Sequence, residues 1–206
     1  MLIEKITKRE GNNAKFSVIF DNAKELIVSA TQIADFGLYS GKELSEEEYL
    51  QLVEGLERSD SKTRALRILG SRNLSAREIR KRLESRGDSE DTANSTVEWL
   101  EGIGAINDNE YAESIAKYYS QKGYGVSRIK NELFRRGIPR DLWDGALEQI
   151  GEMEDPMRVY LEKKLRGSTD KDDLRRATDA LCRRGFGYEE ARAAVRRYVE
   201  ESGGDA

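Results

Sequence analysis

The phrase RLESRGD at 82–88 returns as ELFRRGI at 132–138 and as ALCRRGF at 180–186. Aligned on Gly87, Gly137 and Gly185, the match extends well past the phrase itself. Leu83, Leu133 and Leu181 stand four positions before the glycine, and Ile79, Ile129 and Ala177 stand eight before it. Val97, Leu147 and Val195 follow ten positions after, and Leu100, Ile150 and Tyr198 thirteen after. Thr96, Ala146 and Ala194, nine after, are all small. Apolar residues at i, i+4 mark one stripe of an amphipathic helix before each glycine. The small residues allow a close helix contact after it. A period of 48 to 50 residues is that of a stacked helical unit. Such a unit cannot bury its apolar stripe alone, so the spacing predicts a mainly α-helical array of three tandem three-helix repeats.

Each repeat divides into helices A, B and C. In the first, SKTRALRIL, SAREIRKRLESR and SEDTANSTVEWLEGI take these roles, with Ser75 and Glu78 at capping-box spacing before helix B. In the second they are DNEYAESIAKYYSQ, GVSRIKNELFRR and PRDLWDGALEQI, with Pro139 suited to the first position of helix C. In the third they are DPMRVYLEKKL, KDDLRRATDALCRR and YEEARAAVRRYVEE, where Asp155 and Pro156 mark a helix start. The glycine reads as the left-handed residue ending helix B, with cations in the last turn facing the negative end of the helix dipole.

The front of the chain reads differently. LIEKITK, KFSVIF and ELIVSA are rich in β-branched and aromatic residues and are separated by the turn compositions GNN and DNAK. They predict a small antiparallel meander over about residues 2 to 29. SEEEYLQLVEGLE then opens a helix, with Ser45 and Glu48 spaced as a capping box and an acidic first turn suited to the positive end of the dipole. The expected segments are therefore 1–60 for the meander and its helix, then repeats over 61–106, 107–151 and 152–206.

Charge is distributed unevenly. The whole 206-residue chain has a net charge of -4, and residues 1–60 hold 7 Lys and Arg against 12 Asp and Glu. Helix B runs the other way in every repeat. Over 75–87, 127–136 and 174–184 the Lys and Arg exceed the Asp and Glu by three each time. Arg predominates there, and its planar fork suits bidentate contact with carboxylate or phosphate. Solvated, internally paired helix faces, such as Glu78 with Arg82, explain part of the charge. Three helices sharing one excess point to an anionic partner. No unit offers a clear cluster of base-reading side chains, so any nucleic-acid contact is expected mainly at phosphate. Tyr111, Tyr118, Tyr119, Trp99 and Trp143 fall at helical spacing with apolar residues and are expected in the core. Tyr124, in the loop KGYG, suits a stacking role, a protein interface or the end of the core.

Other chemistries are excluded by what the chain lacks. It has no His and a single cysteine, Cys182. That leaves no internal disulfide, zinc site or His-based acid–base mechanism. Neither a phosphate-binding P-loop nor a nucleophile elbow occurs. No run of about 18 apolar residues suggests a membrane span and no apolar segment after a basic N-terminus suggests a signal peptide, so a cytoplasmic protein without enzymatic activity is expected.

The stretches ALRILGSRNLSAREIRKRLESRG, AINDNEYAESIAKYY and GVSRIKNELFRRGIPRDLWDGAL, in that order, resemble the RecX family of bacterial regulatory proteins, which modulate the RecA recombinase. Ser75 with Ile79 and Leu83, Asn107-Asp108 before Tyr111-Ala112, and Glu132-Leu133 before Gly137-Ile138 carry the resemblance, which spans about residues 61 to 200. It implies an elongated, curved array of three-helix repeats with no cofactor. It also implies binding to the RecA filament on single-stranded DNA, inhibiting ATP hydrolysis, filament growth and strand exchange in recombination, DNA repair and the SOS response. The contacts it implies are Arg80, Lys81, Arg128, Lys130, Arg135, Arg136, Arg175, Arg176, Arg183 and Arg184, forming a ladder of cations along a periodic filament. The acidic balance, with a sequence pI near 5.3, suggests weak direct binding to free DNA by a monomer. A general nucleic-acid-binding repeat protein without a RecA role, and an adaptor for an acidic protein, are the competing readings.

Overall fold

The computed structural model describes residues 1–9, 15–70, 72–152 and 156–203. The GNN turn and Asp155 lie outside the described residues. The protein is mainly helical with a small N-terminal antiparallel sheet. It forms two compact units, Met1–Gly70 with Leu83–Thr96, and Ser71–Arg82 with Val97–Ala206.

In the first unit, strands β1 (Ile3–Lys8), β2 (Lys15–Phe20) and β3 (Glu25–Ser29) form the expected meander in the order β1-β2-β3. Val18 pairs with Ile6 on one side and Leu26 on the other. Ile3, Val18, Phe20 and Val28 are buried in a cluster with Leu38, Leu44 and Leu52. A short helix follows, α1 (Ala30–Asp35), that the sequence reading missed. Its signal was present: Ser29 and Gln32 form a full capping box.

Helix α2 (Glu46–Leu69) starts at the Ser45–Glu48 capping box, as the spacing predicts. It does not stop near residue 60. The acidic helix and helix A of the first repeat are one helix, because no Gly or Pro breaks the segment between them and Ser61 is satisfied in place. Ser61 Oγ donates to Asp88 at 3.0 Å and accepts from Thr96 Oγ1 at 2.9 Å. Arg64 pairs with the same buried Asp88 carboxylate. A buried polar side chain inside a helix is tolerated when every partner is supplied in this way.

The remaining helices are α3 (Ala76–Glu84), α4 (Glu90–Gly102), α5 (Asp108–Gln121), α6 (Val126–Arg136), α7 (Trp143–Glu148), α8 (Pro156–Leu165), α9 (Lys171–Arg183) and α10 (Tyr188–Gly203). Helix B is thus α3, α6 and α9. The Leu and Ile or Ala stripe is buried in all three, as are Thr96, Ala146 and Ala194. Helix C of the second repeat departs from expectation. It is a short α7 between 3-10 turns at Arg140–Leu142 and Gln149–Glu152, and Pro139 caps the first turn. Gly145 in its middle costs about 1 kcal/mol relative to Ala, which leaves little to hold a longer helix.

Within the second unit the helix ends meet. At the N-terminus of α6, Gly125 N–H donates to the Arg184 carbonyl at 2.9 Å and Ser127 N–H to the Gly185 carbonyl at 3.1 Å. At the N-terminus of α3, Ser75 Oγ donates to the Arg136 carbonyl, and Gly137 packs on the Arg77 side chain. The first turn of one helix B thus receives the last turn of the next. This satisfies groups that isolated helix ends leave open, and sets a negative dipole end against a positive one.

The repeated glycine is therefore required twice. It holds a left-handed backbone, and in two repeats it admits a neighbouring chain: a Cβ on Gly185 would lie 2.5 Å from Arg128 N, and one on Gly137 would lie 2.2 Å from Arg77 Cδ. Among the described residues, nothing lies within 4 Å of a Cβ placed on Gly87. Gly87 and Gly185 have nearly the same φ, +96° and +94°, so replacing each by Asn imposes the same backbone cost and differs only in the neighbour. Urea unfolding should show Gly185→Asn losing about 1–3 kcal/mol more than Gly87→Asn, the cost of overpacking a close contact. Equal losses would remove the joint.

Candidate partner-binding surface

The cations of helix B fall into two groups. Arg136 is half-buried: its Nε donates to Glu132 Oε1 at 2.8 Å, its Nη1 donates to Tyr111 Oη, and its guanidinium lies 5.6 Å from the centre of that ring. Glu132 is buried, so Arg136 supplies the charge that makes its ionised carboxylate tolerable. Burial pushes the Tyr111 phenol above its ordinary value, against the pull of the Arg136 charge. Arg184 is also committed. Its Nη1 donates to the Lys122 and Gly123 carbonyls at 3.0 and 3.2 Å, and its guanidinium lies 4.4 Å from the Tyr160 ring and 5.4 Å from that of Tyr124.

These two arginines stand immediately before the docked glycines, in the position that repeats most faithfully. In these two repeats the arginine before the glycine therefore serves the joint and repeat packing, whereas Arg86, its counterpart before Gly87, is exposed.

The other candidates are more open to solvent. Lys81, Arg128, Arg135, Arg175, Arg176 and Arg183 are exposed, and Lys130 is half-buried. Arg135 is 72% exposed although it lies 3.3 Å from the Glu132 carboxylate. Arg128 sits 5.9 Å from the Tyr124 ring, and Arg176 pairs with Asp173 at 2.9 Å. Arg80 is half-buried, and its Nε has no hydrogen-bond partner among the described residues.

The aromatic residues sort similarly. Tyr111, Tyr119 and Trp143 pack against the core of the second repeat, and Trp143 Nε1 donates to the Ile138 carbonyl at 3.1 Å. Tyr118 does not join them: it is 54% exposed, with Lys122 over its ring. Tyr124 packs against the Tyr119 ring, with the Arg128 and Arg184 guanidinium groups 5.9 and 5.4 Å from its own ring.

Asp108 ties the first two repeats together. Its Oδ1 accepts from the Ala76 N–H at 3.0 Å, at the first turn of α3, where Ser75 and Glu78 complete the expected capping box. Burial raises the carboxyl above its ordinary value and the Glu78 charge adds to this, while the Ala76 hydrogen bond and Arg80 oppose it. Among the described residues no group of His, Cys, Asp and Glu could hold a metal ion, and no helix is long and apolar enough to cross a membrane.

Two family models match: that for RecX, first three-helix domain, over residues 62–100, and that for RecX, second three-helix domain, over residues 107–147. A regulatory protein RecX of Xanthomonas axonopodis pv. citri is 31% identical over 141 residues, 67% of this chain and 87% of its own. The chain belongs to the RecX family. Regulatory protein RecX of Caldanaerobacter subterraneus subsp. tengcongensis is 26% identical over 95% of this chain and 98% of its own. A crystal structure of regulatory protein RecX shares the fold, with a TM-score of 0.72 at 20% identity over 97% of this chain and 98% of that one. RecX from Lactobacillus salivarius matches at a TM-score of 0.62 and 20% identity, over 71% of this chain and 98% of its own. The RecX relatives carry the name of regulatory proteins.

Two measurements test the division of the cations and the Asp108 contact. Arg136→Ala leaves the Glu132 charge buried without its main partner and should cost about 2–4 kcal/mol of unfolding free energy, whereas Arg135→Ala should stay within about 0.5 kcal/mol of wild type. For Asp108 the raised pKa means that the folded state holds the proton more tightly than the unfolded chain does. Its ionised form therefore subtracts stability above the folded pKa, and the deficit vanishes as pH falls below 3.8. Asn keeps the acceptor oxygen, so Asp108→Asn should unfold at higher urea than wild type near pH 7 and lose that advantage in acid.

Proposed function

We propose that this chain binds the RecA filament assembled on single-stranded DNA and restrains its ATP hydrolysis, growth and strand exchange during recombination and DNA repair. The observation that carries the reading is the excess of exposed cations on α3, α6 and α9, on a chain whose net charge is -4. Membership of the RecX family supports it. The repeats over 61–106, 107–151 and 152–206 are the units that present these cations, with segment 1–60 ahead of them. The protein acts in the cytoplasm as a monomer and by binding, as a regulator and not as a catalyst. Lys81, Arg128, Lys130, Arg135, Arg175, Arg176 and Arg183 take the partner's anionic groups. Arg80 reaches the same partner from its half-buried position. Arg136 and Arg184 contribute through the shape of the array. Binding to free DNA is weak beside binding to the filament, because the acidic balance of the chain opposes a bare polyanion.

The test is ATP hydrolysis by the cognate RecA on single-stranded DNA, titrated with this protein below one copy per RecA. Wild type should inhibit strongly at low ratios. Reversing three exposed charges together, Lys81→Glu, Arg135→Glu and Arg183→Glu, should raise the half-inhibitory ratio at least about tenfold, roughly 1.4 kcal/mol, with helical content unchanged. No inhibition by wild type at equal or excess ratio would contradict the reading. In that case, salt-sensitive binding to bare DNA would assign a general nucleic-acid role, and its absence would leave an adaptor for an acidic protein.

A further inference from the structure

Helix α6 carries a face that neither its packing nor its repeat accounts for. Ser127, Asn131 and Phe134 follow one another at i, i+4 and i+7, all exposed, on the side opposite the buried Ile129 and Leu133. Phe134 is 58% exposed. The corresponding residues three positions before the glycine in the other repeats are Glu84 and Cys182, so the repeat does not require an aromatic ring there. Cations flank this line, Lys130 on one side and Arg128 and Arg135 on the other. The only carboxylate of α6 is Glu132, which is buried and is held by Arg136 at 2.8 Å and, from the exposed side, by Arg135 at 3.3 Å. The outer face is thus an exposed ring, an amide and a hydroxyl among three positive charges, with no negative charge of its own.

From this we infer that the outer face of α6 is a contact site for single-stranded nucleic acid, in which Phe134 stacks on a base, Asn131 hydrogen-bonds its edge, and Arg128, Lys130 and Arg135 take the adjoining phosphates. A ring among cations that track the backbone is the arrangement by which proteins hold single strands, since every base has a face to stack and every nucleotide a phosphate. One α-helical face of this length reaches one or two nucleotides. The site therefore adds register and modest affinity, in keeping with a protein whose overall charge is unfavourable for DNA. It goes beyond phosphate contact alone. It deepens the filament reading above by assigning part of the contact to the DNA strand, and is tested separately from it.

The experiment is a fluorescence-anisotropy titration of a labelled oligothymidylate, at two salt concentrations, with wild type and with Phe134→Ala, Phe134→Tyr and Arg135→Ala. Phe134→Ala should weaken binding roughly 5- to 100-fold, the value of one base stacked on an aromatic ring, and leave the salt dependence unchanged. Phe134→Tyr should keep near-wild-type affinity. Arg135→Ala should weaken binding and lower the slope of log affinity against log salt by about 0.7, the share of one single-strand phosphate. Equal affinity for wild type and Phe134→Ala, or no binding by wild type even at low salt, would overturn the proposal. If Phe134→Ala instead loses inhibition of RecA while binding the oligonucleotide normally, the ring faces protein, and this proposal fails while the filament reading stands. Loss of oligonucleotide binding by Phe134→Ala, where wild type has no effect on RecA, would support the DNA contact and remove the filament reading.

Discussion

The acceptance of two backbone N–H groups at the start of α6 by the carbonyls of Arg184 and Gly185 is the contact on which the second unit depends. Each end supplies what the other lacks. A helix N-terminus without a side-chain cap has open donors, and the last turn of a helix has open carbonyls. Gly125 offers no side-chain cap to α6, so the next repeat provides one. The approach is close enough that a Cβ on Gly125 would stand 2.4 Å from the Gly185 oxygen, so both partners at this joint must be glycine. The preceding joint is built differently, with Ser75 donating to the Arg136 carbonyl and Asp108 taking the Ala76 N–H. The same geometric need is thus met once by backbone alone and once by side chains.

Burial follows from these joints. The second and third repeats each keep their own cluster: Ile129 and Leu133 with Ala112, Ile115 and Ala146 in the second, and Ala177 and Leu181 with Leu161, Ala191 and Val195 in the third. Neither cluster is large. Arg184 binds the two together by capping the end of α5 and lying against Tyr160 and Tyr124, an aromatic–cation arrangement worth about 0.5–2 kcal/mol beyond its hydrogen bonds. A conspicuous positive charge is in this case an internal fastening.

Much of this fold was legible in the sequence because its cause is local. The i, i+4 stripes ending at Gly87, Gly137 and Gly185, the Ser45 and Ser75 capping boxes and the β-branched, aromatic strand segments between turn compositions all depend on residues close in the chain. What escaped depends on distance. The continuity of α2 rests on Ser61 finding Asp88 and Thr96, and nothing local announces that. Whether an arginine is structural or open to a partner was equally hidden. Arg135 and Arg136 are adjacent and chemically identical, yet one is 72% exposed and the other is folded onto Glu132 and Tyr111. The exposed ring at Phe134 could have been found by asking which residue breaks the repeat at that position.

The division of labour among the cations sets how a binding surface can be carried by a repeat protein with an acidic balance. In two repeats the arginine before the docked glycine is taken up by the scaffold, whereas the arginine one position earlier, Arg135 or Arg183, is left exposed. The most direct test of the scaffold is amide hydrogen exchange at Gly125 and Ser127. At an ordinary uncapped helix start these amides exchange quickly, whereas a closed joint should hold them at protection comparable to the interior of α6. Fast exchange at both positions, with Ile129 and Leu133 protected, would show that the helix ends do not engage and would contradict the account.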